Sequence, residues 1–363
     1  MHMATKITRF GYIIDKQSLK EEEIEQIKRE LTVKPFKFGN FGKFAKDNSF
    51  SVYVENGNYL GVPKYYGLDK LGKPTCDKLE DYKFPKFDME YVGKLRPRQD
   101  VIATNILNGF EKKRGGLLVA ACGIGKTNLA IYVACHLKLK TLFIVHKEFL
   151  KRQATDRILG TTNIKCVGTI QRKIIDTDHP IVVAMVHSLA KIDYDDKIFR
   201  DFGLIIIDEV HHMGARNFSK VFQKMSGKYM LGISAEKTRP DGLYKIINWY
   251  MGPILHEEEQ KPNDMVVVKK FHFKSSNEKR TKVIINKYTK EPDRSTMITN
   301  LVMIKKRNQF ILKMMEQLFD EGKNVLFLTG RIKHVNLFFK LLNNNPYIKG
   351  CVGKYIGSMP ESE

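Results

Sequence analysis

The sequence predicts an α/β fold built on a parallel β-sheet, and two features of its middle third carry that prediction. One apolar run leads into a glycine-rich loop within residues 116–127. A second apolar run, 202–207, ends in two adjacent carboxylates. Continuous apolar runs are typical of strands that are buried on both faces of a parallel sheet. Sheets of this kind bind their ligands at the carboxyl ends of the strands, which is where both polar segments fall.

The glycine-rich loop has the composition of a site for a nucleoside triphosphate. Its backbone N–H groups can face phosphates, while Lys126 reaches the β- and γ-phosphates and the Thr127 hydroxyl binds Mg²⁺. Ala120 stands where the strict G-x-x-x-x-G-K-[ST] pattern has its first glycine. Apolar residues at helical spacing over 129–137 follow the loop and aim a helix N-terminus at the phosphates. The predicted loop ligands of ATP are Cys122, Gly123, Ile124, Gly125, Lys126 and Thr127.

The adjacent carboxylates Asp208 and Glu209 supply the second half of the predicted site. Asp208 can hold Mg²⁺ together with Thr127, and Glu209 can polarise an attacking water. A phosphotransferase that acts on a substrate hydroxyl needs the first acid but has no use for the second. The pair therefore favours an ATP hydrolase.

From Asp208 to His211 the sequence resembles the DExH box of superfamily 2 helicases, and other segments follow in that family's order. Residues 95–99 resemble the adenine-sensing motif, and residues 141–153 resemble motif Ia. Residues 181–189 resemble the motif that precedes the DExH box, and residues 232–242 resemble motif III. The nearest likeness is to the branch that contains the repair helicase XPB, the poxvirus transcript-release helicase and relatives in large DNA viruses and phages. The resemblance covers roughly residues 90 to 363.

This resemblance implies two RecA-like lobes, with ATP and Mg²⁺ between them and a nucleic acid as the track. The implied roles are adenine sensing by Arg96 and Gln99, catalysis by Lys126, Asp208, Glu209 and His211, coupling by Ser234, and contacts to the nucleic-acid backbone by Gln153, Ser188 and Arg331. One departure concerns motif III, in which Glu236 stands where the family has threonine.

The second lobe is expected to be partial. After residues 324–331, which resemble motif IV, the chain continues for about one βαβ unit. Family members carry motifs V and VI further on, with arginines that complete the ATP site. An arginine finger is worth on the order of 10³ to 10⁵ in turnover. We therefore expect a truncated form of a longer helicase that hydrolyses ATP slowly.

The segment before the sheet predicts a small α+β domain. Ser18 to Glu21 has capping-box spacing and predicts a helix to about Leu31. Asn56-Gly57 between two strand-like runs predicts a hairpin. Aromatic residues and lysines alternate over 36–44, which suits either a base-stacking platform or the core of this domain.

Three domains are predicted on this basis: 1–90 as an N-terminal accessory domain, 91–262 as the ATP-binding RecA-like domain, and 263–363 as the start of a second RecA-like domain. In the last of these, 266–273 predicts a strand and 305–319 predicts an amphipathic helix.

Composition bears on partners and location. A formal net charge of +22 over 363 residues suits a polyanionic partner, although a generally lysine-rich composition would give the same excess. DNA is the first candidate and RNA the second, with transcription or replication proteins as further candidates. The five cysteines include no C-x-x-C pair, and no apolar run approaches the ~18 residues that span a bilayer. We expect a soluble protein of a viral or host cytoplasm or nucleus.

The resulting prediction of function is an ATP-dependent DNA helicase or translocase acting in viral-type transcription, replication or repair. A nucleic-acid-binding module with a vestigial or very slow ATPase site is the alternative. A phosphotransferase for a small substrate is a third reading, which Glu209 disfavours.

Overall fold

The computed structural model describes residues 4–35, 48–212, 215–238, 242–258, 266–288 and 290–357. The chain divides into two compact units, Met1–Pro262 and Asn263–Glu363. The aromatic and lysine-rich segment at 36–44 lies outside the described residues. No helix in the described ranges is both long enough and apolar enough to cross a bilayer.

The first unit begins with short strands and helices. The strands are β1 (Thr5–Thr8), β2 (Gly11–Asp15), β3 (Thr32–Val33), β4 (Phe50–Ser51), β5 (Val54–Asn56), β6 (Tyr59–Val62) and β7 (Cys76–Asp77), and the helices are α1 (Glu21–Glu30), α2 (Lys64–Leu71) and α3 (Lys78–Asp81). Five of the strands form a sheet in the order β5-β6-β2-β1-β7, and β3 pairs with β4.

Two local predictions in this segment hold with shifted boundaries. The hairpin is present, but Asn56 pairs with Tyr59, so its turn is Gly57-Asn58, with Gly57 in the left-handed region at φ 46°. Helix α1 begins at Glu21 instead of near Ser18. The carboxylate of Glu23 accepts a hydrogen bond from the backbone N–H of Lys20 at 2.8 Å, and this bond fixes the later start.

A larger α/β layer follows. Its elements are α4 (Pro97–Lys113), β8 (Gly115–Val119), α5 (Lys126–Leu137), β9 (Thr141–Val145), α6 (Glu148–Thr161), β10 (Gly168–Gln171), β11 (Ile174–Asp176), β12 (Ile181–Met185), α7 (Val186–Lys191), β13 (Leu204–Ile207), α8 (Ala215–Phe222), β14 (Tyr229–Ser234), α9 (Tyr244–Met251) and β15 (Ile254–Glu257). The strands form one sheet in the order β11-β10-β12-β9-β13-β14-β8-β15. All neighbours are parallel except β10 and β11, which confirms the predicted parallel α/β sheet.

Apolar side chains on both faces hold this sheet in place. In β13, Ile205 and Ile207 belong to the core on one face, and Leu204 and Ile206 belong to the core on the other. All four are at most 2% exposed. Burial on both faces is what a continuous apolar run requires, since alternate side chains of a strand point to opposite faces.

The N-terminal segment shares one of these cores. Residues such as Ile7 and Tyr12 pack in the same apolar cluster as Ile205 of the large sheet. The ammonium of Lys64, on α2, also donates hydrogen bonds to the carbonyl oxygens of Gly227 (3.2 Å) and Lys228 (3.0 Å), before β14. The residues predicted as the first two domains therefore lie in one compact unit, while the three-domain division stays a prediction.

The second unit contains the helices α10 (Glu278–Thr281), α11 (Arg294–Val302), α12 (Lys305–Asp320) and α13 (Ile332–Asn343). Helix α12 confirms the helix predicted for 305–319. The strand predicted for 266–273 is wrong, because these residues form no ladder and Val267 and Val268 are 77% and 86% exposed. A strand needs a hydrogen-bonded neighbour. In the described part of this unit only Ile285 and Pro292 form a bridge.

Candidate functional site

Three polar segments meet at the carboxyl edge of the large sheet. Strand β14 lies between β13 and β8, with Ile207 opposite Gly232 and Val119 opposite Ser234. Since these strands are parallel, the loop after β8, the carboxylates after β13 and the end of β14 lie side by side. The structure thus places the two halves of the predicted site next to each other.

The glycine-rich loop has room for phosphates. Gly123 and Gly125 have φ angles of 86° and 90°, which side chains other than glycine rarely adopt. Among the described residues, a Cβ at Gly123 would meet nothing within 4 Å, so they leave the loop open on that side. Helix α5 begins at Lys126 without a side-chain cap on its N-terminus. Uncapped N–H groups beside open space suit an anionic ligand.

Lys126 lies against this loop. Its side chain is buried, and its ammonium donates hydrogen bonds to the carbonyl oxygens of Ala120 (2.8 Å) and Ala121 (3.2 Å). Neither acceptor carries a formal charge. A triphosphate oxygen would be a stronger acceptor for the same ammonium, because bonds between charged partners are roughly twice as strong as neutral ones.

Thr127 and Asp208 form the part of the site that fits a divalent cation. The Thr127 hydroxyl donates to Oδ2 of Asp208 at 3.2 Å, and both side chains are buried. Burial, together with the nearby charge of Glu209, raises the pKa of Asp208 above its ordinary value. A divalent cation bound at Asp208 would stabilise its ionised carboxylate.

The protein supplies few ligands to such a cation. Within the described ranges, no group of three His, Cys, Asp or Glu side chains converges as a metal site. Mg²⁺ commonly takes one or two protein ligands and completes its octahedron with phosphate oxygens and water. A hydroxyl and a carboxylate beside a phosphate loop match that donor set.

Glu209 has an unusual backbone and an unused carboxylate oxygen. Its φ of 51° lies in the left-handed region, which is costly for a residue other than glycine. Its Oε2 is buried and accepts no hydrogen bond from the residues that the structure describes, although Nδ1 of His211 is 3.4 Å away. That distance permits an ion pair, but the ring N–H is not directed at the carboxylate. A buried acceptor without a donor is suited to hold a water molecule.

His211 and Ser234 are in contact. Nδ1 of His211 is 3.0 Å from Oγ of Ser234, which is fully buried. The Ser234 hydroxyl donates its one proton to the carbonyl oxygen of Glu236 at 2.5 Å. His211 must then carry a proton on Nδ1 and donate it to Ser234, which assigns the tautomer from the network. The segment after β13 is thereby linked to the end of β14.

The side chains of Arg96 and Gln99 donate hydrogen bonds to the phosphate loop. Oε1 of Gln99 accepts a bond from the Arg96 backbone N–H, and Nε2 of Gln99 donates to the carbonyl oxygen of Ile124, both at 2.8 Å. The Arg96 guanidinium also donates to Ile124 O, at 3.1 Å. These hydrogen bonds from Arg96 and Gln99 to the loop were not predicted from the sequence. The capping-box spacing of the two residues was the available signal.

The remaining predicted residues are dispersed. Gln153 is exposed on α6, and Cys122 is exposed in the loop. Ser188 is buried, and its hydroxyl accepts a hydrogen bond from the Arg172 N–H at 3.0 Å. Arg331 lies in the second unit, where it donates to the carbonyl oxygen of Ser295 at 2.7 Å. The contact of Cys122 to ATP and the contacts of Gln153, Ser188 and Arg331 to nucleic acid stay predictions.

A parallel sheet with a phosphate loop after one strand and paired acids after another is the arrangement of the P-loop nucleoside triphosphatases. Residues 93–239 match the profile of the family described as Type III restriction enzyme, res subunit. A candidate ATP-dependent RNA helicase of Acanthamoeba polyphaga mimivirus is 60% identical over 363 residues, 99% of this chain and 70% of that protein. The XPB helicase/translocase subunit of general transcription and DNA repair factor IIH from Schizosaccharomyces pombe is 26% identical over 320 residues, 77% of this chain and 39% of that one.

Among solved structures, the crystal structure of T4 UvsW has a TM-score of 0.49 and 16% sequence identity, and covers 95% of this chain and 73% of that one. On the sequence matches, the chain belongs to the superfamily 2 helicases, in the branch that contains XPB.

Proposed function

We propose that this chain is the ATP-hydrolysing part of a DNA helicase or translocase that serves viral-type transcription, replication or repair. The contact between Thr127 and Asp208 at 3.2 Å is the observation that carries the proposal. It joins the phosphate loop to the acidic pair of the DExH box at one sheet edge, which is the arrangement that MgATP hydrolysis needs.

Each residue has a role in this proposal. Lys126 leaves its loop carbonyls to bind phosphate oxygens, and Thr127 and Asp208 hold Mg²⁺. When bound, Mg²⁺ neutralises charge on the phosphates. Glu209 accepts a hydrogen bond from the attacking water and orients it. Gln99 and Arg96 sense adenine, and their hydrogen bonds to the carbonyl oxygen of Ile124 connect them to the phosphate loop.

Hydrolysis has to be transmitted to the nucleic acid for motor activity. We assign this step to His211 and Ser234, because Glu209 and His211 lie in one short segment after β13 and Ser234 ends the neighbouring strand. A change at the water-binding carboxylate can therefore reach β14 through a single hydrogen bond.

DNA is the proposed track. The net charge of +22 supports a polyanionic binding partner, and the name of the XPB relative refers to DNA repair. The name of the mimivirus relative refers to RNA. RNA is therefore the competing substrate, and the two are separated by experiment.

The test compares ATP hydrolysis by the purified chain alone, with duplex DNA, with single-stranded DNA and with single-stranded RNA of equal length. We expect DNA to raise the rate at least several-fold and RNA to raise it less. Lys126→Ala should abolish the stimulated rate. Stimulation by RNA alone would contradict the choice of DNA, and a rate that no nucleic acid changes would contradict the motor.

A further inference from the structure

The hairpin of β10 and β11 stands at one end of the large sheet. Gln171 pairs with Ile174, so Arg172 and Lys173 form its two-residue turn. Strand β10 is parallel to β12, and Ile170 lies opposite Ala184. The turn therefore projects from the carboxyl edge, the same edge as the phosphate loop. Five strand spacings separate β10 from β8, which is about 24 Å.

The backbone of this turn is held by buried side chains. The Arg172 N–H donates to Oγ of Ser188 at 3.0 Å, and its carbonyl oxygen accepts a hydrogen bond from the Tyr194 hydroxyl at 2.7 Å. Ser188 and Tyr194 are 7% and 9% exposed. Arg172 has a φ of 53°, a left-handed conformation that costs roughly 1 kcal/mol or more in a residue with a Cβ.

A second set of bonds ties the hairpin to α6. Nε2 of Gln171 donates to Oε2 of Glu148 at 2.7 Å, and Oε1 of Gln171 accepts from the ammonium of Lys151 at 2.5 Å. The turn is thus attached both to α6 and, through Ser188, to α7. These helices follow strands β9 and β12 of the same sheet, so the turn is fixed relative to the sheet.

The side chains of the turn are free by contrast. Arg172 and Lys173 are exposed, and within the described ranges neither side chain makes an ion pair or hydrogen bond. Glycine is the favoured first residue of a hairpin turn with this backbone, yet the position carries an arginine. Two adjacent cations on a fixed and strained backbone are preorganised for an anionic ligand.

We propose that Arg172 and Lys173 bind consecutive phosphates of the nucleic-acid strand on which the motor works, with Ser188 and Tyr194 as positioning residues. This inference rests on the proposed function. Contacts to phosphates carry no base information, so the turn sets the position of the strand without sequence preference.

The test uses Arg172→Gly/Lys173→Ser, which removes both charges and supplies a Gly-Ser turn that the hairpin accepts without strain. Lys112→Ser/Lys113→Ser is the matched control, since these exposed lysines end α4 next to the amino end of β8, at the opposite edge of the sheet. Fluorescence anisotropy with a labelled 20-nucleotide single strand gives the affinity at several KCl concentrations, and titration with MgATP checks the nucleotide site.

The turn variant should bind the strand about tenfold more weakly at low salt, and its slope of log K against log [KCl] should fall in magnitude by about 1.4, or 0.7 for each lost phosphate contact. The control variant should keep the wild-type slope, and both should bind MgATP as the wild type does. Equal slopes for the two variants would overturn the role of the turn and leave the proposed function intact. Absence of binding by the wild type would overturn both.

Discussion

The hydroxyl of Thr127 donates to the carboxylate of Asp208 at 3.2 Å, across 81 residues of sequence. Both side chains are buried, and this bond offsets only part of the cost of burying a carboxylate beside Glu209. The site therefore carries more negative charge than its own residues neutralise. That imbalance is a physical reason for it to take up Mg²⁺ with a nucleotide.

The first prediction concerns Asp208→Asn. Because the folded state raises the pKa of Asp208, it binds that proton more tightly than the unfolded chain does, and the ionised carboxylate lowers stability above the unfolded pKa. The variant should melt at a higher temperature than the wild type at pH 7.5 without Mg²⁺, by a margin that shrinks as the pH falls. It should also bind MgATP about tenfold more weakly, because a cation ligand is lost.

Asp193→Asn is the control for this stability effect. Asp193 is highly exposed and forms an ion pair with Lys224, which lowers the pKa of Asp193. Removing that charge should not raise the melting temperature at pH 7.5. A lower melting temperature for Asp208→Asn than for the wild type would refute the account of Asp208.

Gln99 gives a prediction that separates two hydrogen bonds. Gln99→Glu keeps an acceptor for the Arg96 N–H but loses the donor to Ile124 O, whereas Gln99→Ala loses both. We expect Gln99→Ala to lower the free energy of unfolding by about 1 to 2 kcal/mol. Gln99→Glu should lower it at least as much, because Gln99 is buried and a carboxylate oxygen would face the carbonyl oxygen of Ile124. Both should weaken ATP binding several-fold, as measured by calorimetry, and unchanged affinity in Gln99→Ala would rule out loop support.

Ser234→Ala tests the link between hydrolysis and the nucleic acid. It removes the acceptor of the His211 N–H and should cost about 1 to 3 kcal/mol in unfolding. MgATP affinity should stay within about twofold, because Ser234 is not a proposed nucleotide ligand, but stimulation of hydrolysis by DNA should fall by about tenfold. Ser226→Ala, at a buried serine before the same strand, is the control. Full stimulation in Ser234→Ala would exclude the relay.

Lys64 predicts a pH dependence of stability. Burial, with a contribution from the nearby Arg114, lowers its pKa from 10.5 to about 7. Between these values the unfolded chain binds more protons, so stability should rise with pH, by on the order of 1 kcal/mol per pH unit. Lys64→Met should remove this rise in urea unfolding measured from pH 7 to 9.5. If both proteins show the same slope, Lys64 is not the group responsible.

Sequence patterns predict the parallel sheet and the polar residues that lie at its carboxyl edge. Strands β8 and β13 are continuous apolar runs, and the polar residues that follow such runs must meet at the carboxyl edge of a parallel sheet. This argument placed Lys126, Thr127 and Asp208 together without knowledge of the strand order.

Features that depend on tertiary contacts were not predictable in this way. The bond from Gln99 to Ile124 O requires the relative placement of α4 and the phosphate loop. The segment 266–273 has the composition of a strand, but composition cannot supply the neighbour that a strand pairs with. Likewise, the hydrogen bond from the Arg172 N–H to the Ser188 hydroxyl depends on how the hairpin lies against α7, which no local sequence pattern specifies.

The most direct test of the central claim is calorimetric titration of the purified chain with ATP and Mg²⁺. The wild type should bind one nucleotide, and Lys126→Ala should bind at least tenfold more weakly, because a charged hydrogen bond to phosphate contributes about 1.5 to 3 kcal/mol. Lys138→Ala, at the exposed end of the same helix, should bind like the wild type. Absence of binding by the wild type, or equal affinity in Lys126→Ala, would contradict the account.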